Sequence, residues 1–262
     1  MTAEAHFAAG QLAEAIAAQV QAVKAAPLDA GLRTFLFELL AFAGEWDRAD
    51  KQLQALGQED AERGWGISVY QNLLAAEKAR RQVFAGGAKP EVFLDAPVFL
   101  AQRWDAIAQL SVGQSAAALE LLQRSDAAAP PVRGTLNDQP VENLRDADDL
   151  LAPILEVMVL RDYVWVPWSQ IRELEVEPPK HPRDLLWAPA RLVLADGEQR
   201  RCYLPALYPG TYAESDDALK LGRLTDWRVP EDDGPVRGVG QHLFAAGDRD
   251  LGLLEVREFE AT

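Results

Sequence analysis

An internal repeat constrains this chain more than any other feature. Gly10-Gln-Leu-Ala-Glu-Ala15 realigns with Gly44-Glu-Trp-Asp-Arg-Ala49, and the same shift sets Leu12 on Trp46 and Ala22 on Leu56. That shift is the period of tetratricopeptide (TPR) helix pairs, about 34 residues. A further copy, Gly113-Gln-Ser-Ala-Ala-Ala118, lies two such periods and one extra position beyond the second. It stands as far ahead of Pro130 as Gly10 stands ahead of Pro27. Glycine supplies the turn between paired helices because it tolerates positive φ. Alanine five residues on lets the helices approach, and proline ends the second helix, lacking an amide proton and disfavouring helix at the residue before it. Between the turns, Phe35, Leu36, Leu39, Leu40 and Phe42, or Val69, Leu73, Leu74 and Val83, keep helical spacing. The unit around residues 64–97 is degenerate, with a break at Gly86-Gly87. The expectation is a TPR-like domain over residues 1–131 with about three uneven helical pairs.

From Val132 the pattern changes. Asp146 to Leu160 reads as a capped helix, with Asp148 and Asp149 ahead of Leu150, Ile154, Leu155 and Met158. Tyr163 to Trp168 and Ile171 to Val176 read as short strands bounded by proline. Asp196-Gly197 between the alternating runs Ala190–Ala195 and Glu198–Leu204 specifies a hairpin with a two-residue turn. Further strands are expected around Thr225–Val229 and Leu253–Phe259, separated by a loop-rich stretch from Pro230 to Gly240. The fold class is therefore α+β: the helical-repeat domain, then a small, mainly antiparallel α+β domain over residues 132–262.

The chain carries 26 basic and 41 acidic residues, a formal net charge of −15, and both halves are acidic. Such a field repels a phosphate backbone, so nucleic acid is not an expected partner. No run approaches the apolar length needed to cross a bilayer, so no membrane role is expected. Residues 1–20 lack a basic cluster ahead of an apolar run, unlike a signal peptide. The single cysteine, Cys202, cannot form an internal disulfide, and a reducing, cytoplasmic location fits.

Nothing in the sequence assembles a catalytic or cofactor site. His6, His181 and His242 stand in no metal-ligand spacing, and each reads as a surface or locally bonded imidazole. Ser169 and Ser215 lack a nucleophile elbow, and Cys202 reads as a core or strand-face residue. Asp148-Asp149, Asp216-Asp217 and Asp232-Asp233 read as helix caps and solvated turns. Gly234-Pro-Val-Arg-Gly-Val-Gly240 lacks the glycine order and following helix of a nucleotide loop. No metal, cofactor or enzymatic activity is expected. Trp165, Trp168, Trp187 and Trp227 fall in the C-terminal half, where filling a core is the first reading and anchoring a partner the second.

Taken together, several landmarks resemble the ImpE/SciE/TagJ accessory proteins of bacterial type VI secretion. They are Asp148-Asp149 followed by Leu155-Glu156-Val157, Tyr163-Val-Trp-Val-Pro-Trp168, Arg183-Asp-Leu-Leu-Trp187 with Pro189-Ala190, Leu204-Pro-Ala-Leu-Tyr-Pro-Gly210, Leu221-Gly-Arg-Leu-Thr-Asp-Trp227 and Gly238-Val-Gly-Gln241. They cover most of residues 135–245. The resemblance implies a non-enzymatic adaptor that binds the N-terminal helix of the small sheath subunit and assists sheath handling by the ClpV ATPase. Stacked helix pairs suit a helical ligand. If the repeats hold it, Thr34, Glu38, Phe42, Arg103 and Ile107, on the first helix of their pairs, line the groove. The competing placement is the C-terminal half around Trp187. A general TPR-type scaffold or chaperone for another complex is the alternative function.

Overall fold

The computed structural model describes residues 1–57, 64–230 and 234–262. The N-terminal half is helical: α1 (Ala3–Ala8), α2 (Leu12–Ala25), α3 (Ala30–Phe42), α4 (Trp46–Gly57), α5 (Gly64–Phe84), α6 (Val98–Ser111) and α7 (Ser115–Ala128). Three pairs form as the repeats imply, α1 with α2, α3 with α4 and α6 with α7, and α5 stands between the second and third. The turn glycines Gly10, Gly44 and Gly113 have φ of +79°, +69° and +75°. After each, the next residue donates its backbone N–H five residues back, Gln11 to His6, Glu45 to Leu40 and Gln114 to Gln109, all at 2.9 Å. This is the bond that closes a helix over a left-handed residue. The Gly86-Gly87 break is the same device, with Gly86 at +76° and Gly87 donating to Gln82. Ala15, Ala49 and Ala118 are each 0% exposed, so the small residue does sit where paired helices touch.

The rest of the chain carries β1 (Arg133–Leu136), β2 (Gln139–Glu142), β3 (Arg145–Asp146), β4 (Ile154–Val159), β5 (Asp162–Pro167), β6 (Ile171–Val176), β7 (Trp187–Leu194), β8 (Gln199–Pro205), the short helix α8 (Asp217–Lys220), β9 (Thr225–Arg228), β10 (Arg237–Gly240), β11 (Leu243–Ala246), β12 (Arg249–Gly252) and β13 (Glu258–Ala261). Eight strands form one sheet in the order β2-β1-β13-β6-β7-β8-β4-β5, with β10-β9 and β12-β11-β3 as smaller sheets. Pairing between neighbours is antiparallel throughout. Glu91 bridges the β5 edge by accepting from Trp165 and donating to Tyr163. Among the described residues no helix is long and apolar enough to cross a membrane.

Four local expectations are corrected. Residues 146–160 form no helix: a turn held by the Asp146 and Asp148 carboxylates leads into β4. Five of the six β4 residues are buried, so the strand shows none of the alternation that distinguishes it from a helix. Residues 253–255 form a 3-10 turn and the last strand starts only at Glu258. The expected loop from Pro230 to Gly240 ends in β10, paired to β9. The hairpin loop has three residues, because Leu194 donates to Glu198 and accepts from Gly197, whose φ is +89°. That is a turn closed by a glycine bulge.

Period-two alternation in β4 divides the protein. Leu155 and Val157 face a core inside the sheets with Trp168, Phe244 and Phe259. Ile154 and Met158 face the helices and join two further cores. One combines α1 to α5 with Met158, Leu186, Trp187, Leu207 and Leu221. The other combines α5 to α7 with Leu150, Leu151, Trp165 and Tyr208. Both cores straddle Pro130. Asp217 of α8 also caps α2, accepting the Leu12 N–H at 2.8 Å, while Gln11, the local cap residue, makes no side-chain bond there.

Candidate functional site

Alternation places Glu156 between Ile154 and Met158, facing α5 in a region closed to water. Burial acts to raise its carboxyl, but Arg80 overrides it and holds Glu156 well below the usual carboxylate range. Arg80 donates bidentately, Nε to Oε1 at 2.7 Å and Nη2 to Oε2 at 2.8 Å, and Nη2 also reaches the Leu207 carbonyl at 2.8 Å. Its other face meets Glu77 at 3.6 Å. Desolvation raises the Glu77 carboxyl. Tyr163 donates to Glu156 and receives Trp165 Nε1 at 2.6 Å.

His242 joins the network from between β10 and β11. Its Nδ1 lies 2.7 Å from Asp146 and its Nε2 3.0 Å from Glu156. Burial opposes its charge, yet the two carboxylates push it up to about 9, so it is an imidazolium at neutral pH. The Tyr208 ring packs on it at 4.0 Å and its hydroxyl donates to Asp146 at 2.8 Å. Asp148, in the same turn as Asp146, accepts from Leu150, Gly238 and Arg237. His242, Asp146 and Glu156 are 2%, 1% and 4% exposed, so the cluster has no access to a substrate. Its physical effect is to tie α5 to β4 and the C-terminal loops by desolvated, charge-assisted bonds.

Sequence reasoning missed this cluster because its members lie far apart in the chain. His242 is neither a surface nor a locally bonded imidazole, and Asp148 is no solvated cap. His6, bonded to Gln11 at 2.7 Å, and exposed His181 do match that reading. Cys202 is buried in β8, and burial pushes its thiol up to about 12. Trp165, Trp168 and Trp187 are core residues. Asp216 caps α8 as expected; Asp232-Asp233 lies outside the described residues.

Of the residues assigned to a partner groove, most are buried within the fold. Phe42 packs against Phe7, and Trp187 stacks on Phe37. Arg103, 0% exposed, donates to the Asp149 and Leu150 carbonyls and pairs with Asp126, and burial lowers it to about 10. Burial raises Glu38 to about 7 against the opposing charge of Arg183. Thr34 is half-buried and donates to Ala30. Ile107 is buried but reaches the wall of a cleft. Much of the helix surface around these residues is thus covered, in part by the chain's own second half.

Open surface lies elsewhere. A groove of about 660 Å³ runs between α5 and the part of the sheet that helices leave uncovered. Its lining includes Val69 and Leu73 of α5, Met158, Pro189 and Tyr203 of the sheet and Leu160; Leu73 and Met158 are buried at its base in the core, while Leu160 is 70% exposed. Glu175, Glu177, Arg191 and Arg201 add charged side chains to the lining.

Helical pairs fused by shared cores to an antiparallel sheet, around a sealed Arg-Glu-His-Asp network, define the class of protein. Residues 138–260 match the ImpE protein family. The chain is 39% identical over 260 residues, 99% of its length and 91% of the relative's, to the type VI secretion system accessory component TagJ of Pseudomonas aeruginosa. The chain belongs to the ImpE family, that of this accessory component. The fold is also that of protein VPA1032 from Vibrio parahaemolyticus, whose crystal structure gives a TM-score of 0.92 at 26% identity, over 99% of this chain and 97% of that one.

Proposed function

We propose that the protein is a non-enzymatic adaptor of a type VI secretion system, which binds the N-terminal helix of the small sheath subunit and assists sheath handling by the ClpV ATPase. The observation that carries the reading is the groove between α5 and the sheet, in a chain so similar to an accessory component over nearly its whole length. An amphipathic helix would set its apolar stripe on Val69, Leu160, Pro189 and Tyr203, with its polar flanks against the charged residues beside them. On this reading the partner lies in a groove between one helix and the sheet.

Isothermal titration with a synthetic peptide of that sheath helix, and a scrambled peptide as control, tests the reading. Binding at about −8 kcal/mol or better is expected. Leu160→Asp and Val69→Glu, which put charge into the apolar groove, should each weaken it by about tenfold or more. Absence of heat with the native peptide would reject the sheath assignment in favour of a scaffold for another complex.

A further inference from the structure

Arg80 and Arg81 are neighbours on α5 with opposite fates. Arg80 is consumed by Glu156, Glu77 and the Leu207 carbonyl. Arg81 forms no ion pair among the described residues, and its Nε is enclosed by protein with no acceptor. Its guanidinium lies 4.9 Å over the Trp46 ring, which fixes it without satisfying its donors. The side chain as a whole is only half-buried and lines an open cleft, so an acceptor from outside meets the remainder of the guanidinium there.

The space for one is present. Arg81 lines a cleft of about 350 Å³ whose walls include Phe84, Ile107, Tyr212 and Arg237. Arg237 enters from β10, uses only its Nε on Asp148 and lies 5.7 Å over the Phe84 ring. Its terminal nitrogens make no bond among the described residues, and its side chain is 24% exposed. The acidic group in this cleft is Glu77, whose carboxyl is engaged by Arg80 and raised by desolvation. Arg80 is offset by Glu156 and Arg237 by Asp148, which leaves Arg81 as the cation of this cleft that no ion pair among the described residues offsets.

We propose that this cleft binds an oxyanion, a carboxylate or phosphate group, held between the Arg81 and Arg237 guanidiniums against the Phe84 and Tyr212 rings. A planar fork of donors matches either group bidentately. The site is separate from the groove proposed for the sheath helix, and neither reading depends on the other.

The test follows arginine Nε–Hε resonances of the full-length, 15N-labelled protein at constant ionic strength. Sodium phosphate is added in one arm and glutarate, standing in for an acidic side chain, in the other, with sodium chloride as control. The Arg81 signal, assigned by its loss in Arg81→Lys, should move saturably in at least one arm. Arg81→Lys, which keeps the charge but not the fork, should weaken saturation, followed on the Arg237 signal, by about tenfold or more. Arg237→Lys, followed on Arg81, gives the same readout should the first variant fail to fold. Saturation with phosphate alone identifies a free anion as the ligand, and saturation with glutarate identifies a carboxylate-bearing partner. Linear shifts no larger than those with chloride in both arms, or affinity unchanged in the lysine variants, overturn the proposal.

Discussion

Replacing Glu156 by glutamine keeps its shape and removes the charge that Arg80 and His242 share. Arg80 then faces only Glu77, at 3.6 Å and itself raised by desolvation, while His242 keeps only Asp146. Both cations are at least nine-tenths buried, so water cannot replace the lost partner. Breaking a buried pair in this way costs about 3–5 kcal/mol, a large share of the roughly 5–15 kcal/mol that stabilises an ordinary domain. In urea unfolding the midpoint should fall by about 1–2 M with little change in slope. Arg80→Met combined with Glu156→Leu removes both charges of the main pair. The coupling should make this double variant more stable than the sum of the single losses by about 1–3 kcal/mol. A loss below about 1 kcal/mol in Glu156→Gln, or strict additivity in the double variant, would show that the network is not the tie described here.

Further outcomes follow from the structure. His242, raised from 6.5 to about 9, contributes stability that is fully present below about pH 6.5 and lost as pH rises through 9; chemical denaturation at pH 6 and 9.5 should show a loss of a few kcal/mol that His242→Gln abolishes. Glu38, raised from 4.5 to about 7, binds its proton more tightly when folded, so stability falls as pH rises from 4.5 through 7. At pH 8 Glu38→Gln should therefore be more stable than the parent by on the order of 1–3 kcal/mol in urea melts. Alanine at Gly113, with open space around the added carbon, should cost about 1 kcal/mol from positive φ alone. Alanine at Gly44 would collide with the Tyr212 ring and should lower the thermal midpoint clearly further. Residues 1–131 and 132–262, proposed as the two domains, should each bind a hydrophobic dye when expressed alone, since two cores join residues from both sides of the boundary; dye-free, cooperatively melting halves would contradict shared cores.

The local grammar of the chain was legible without coordinates. Gly10, Gly44 and Gly113 announce helix ends because few other residues accept the left-handed conformation found there, and Ala15, Ala49 and Ala118 announce helix contacts because larger side chains would not fit. The Asp196-Gly197 hairpin was visible for the same reason, although its loop proved one residue longer. Strand β4 was misread because a strand buried on both faces has no alternation to display. The landmarks from Asp148 to Gln241 pointed to the family, but not to what those residues do. Arg80, Asp146, Glu156 and His242 come from both halves of the chain, and only the packing of α5 on the sheet turns four ordinary charged residues into one desolvated network. The surface left for a partner was likewise decided by tertiary structure. Helical repeats alone have an open face for ligands, but Trp187, Leu207 and Met158 cover part of the helix surface here, because burying that apolar surface against the chain's own sheet is more favourable than leaving it in water.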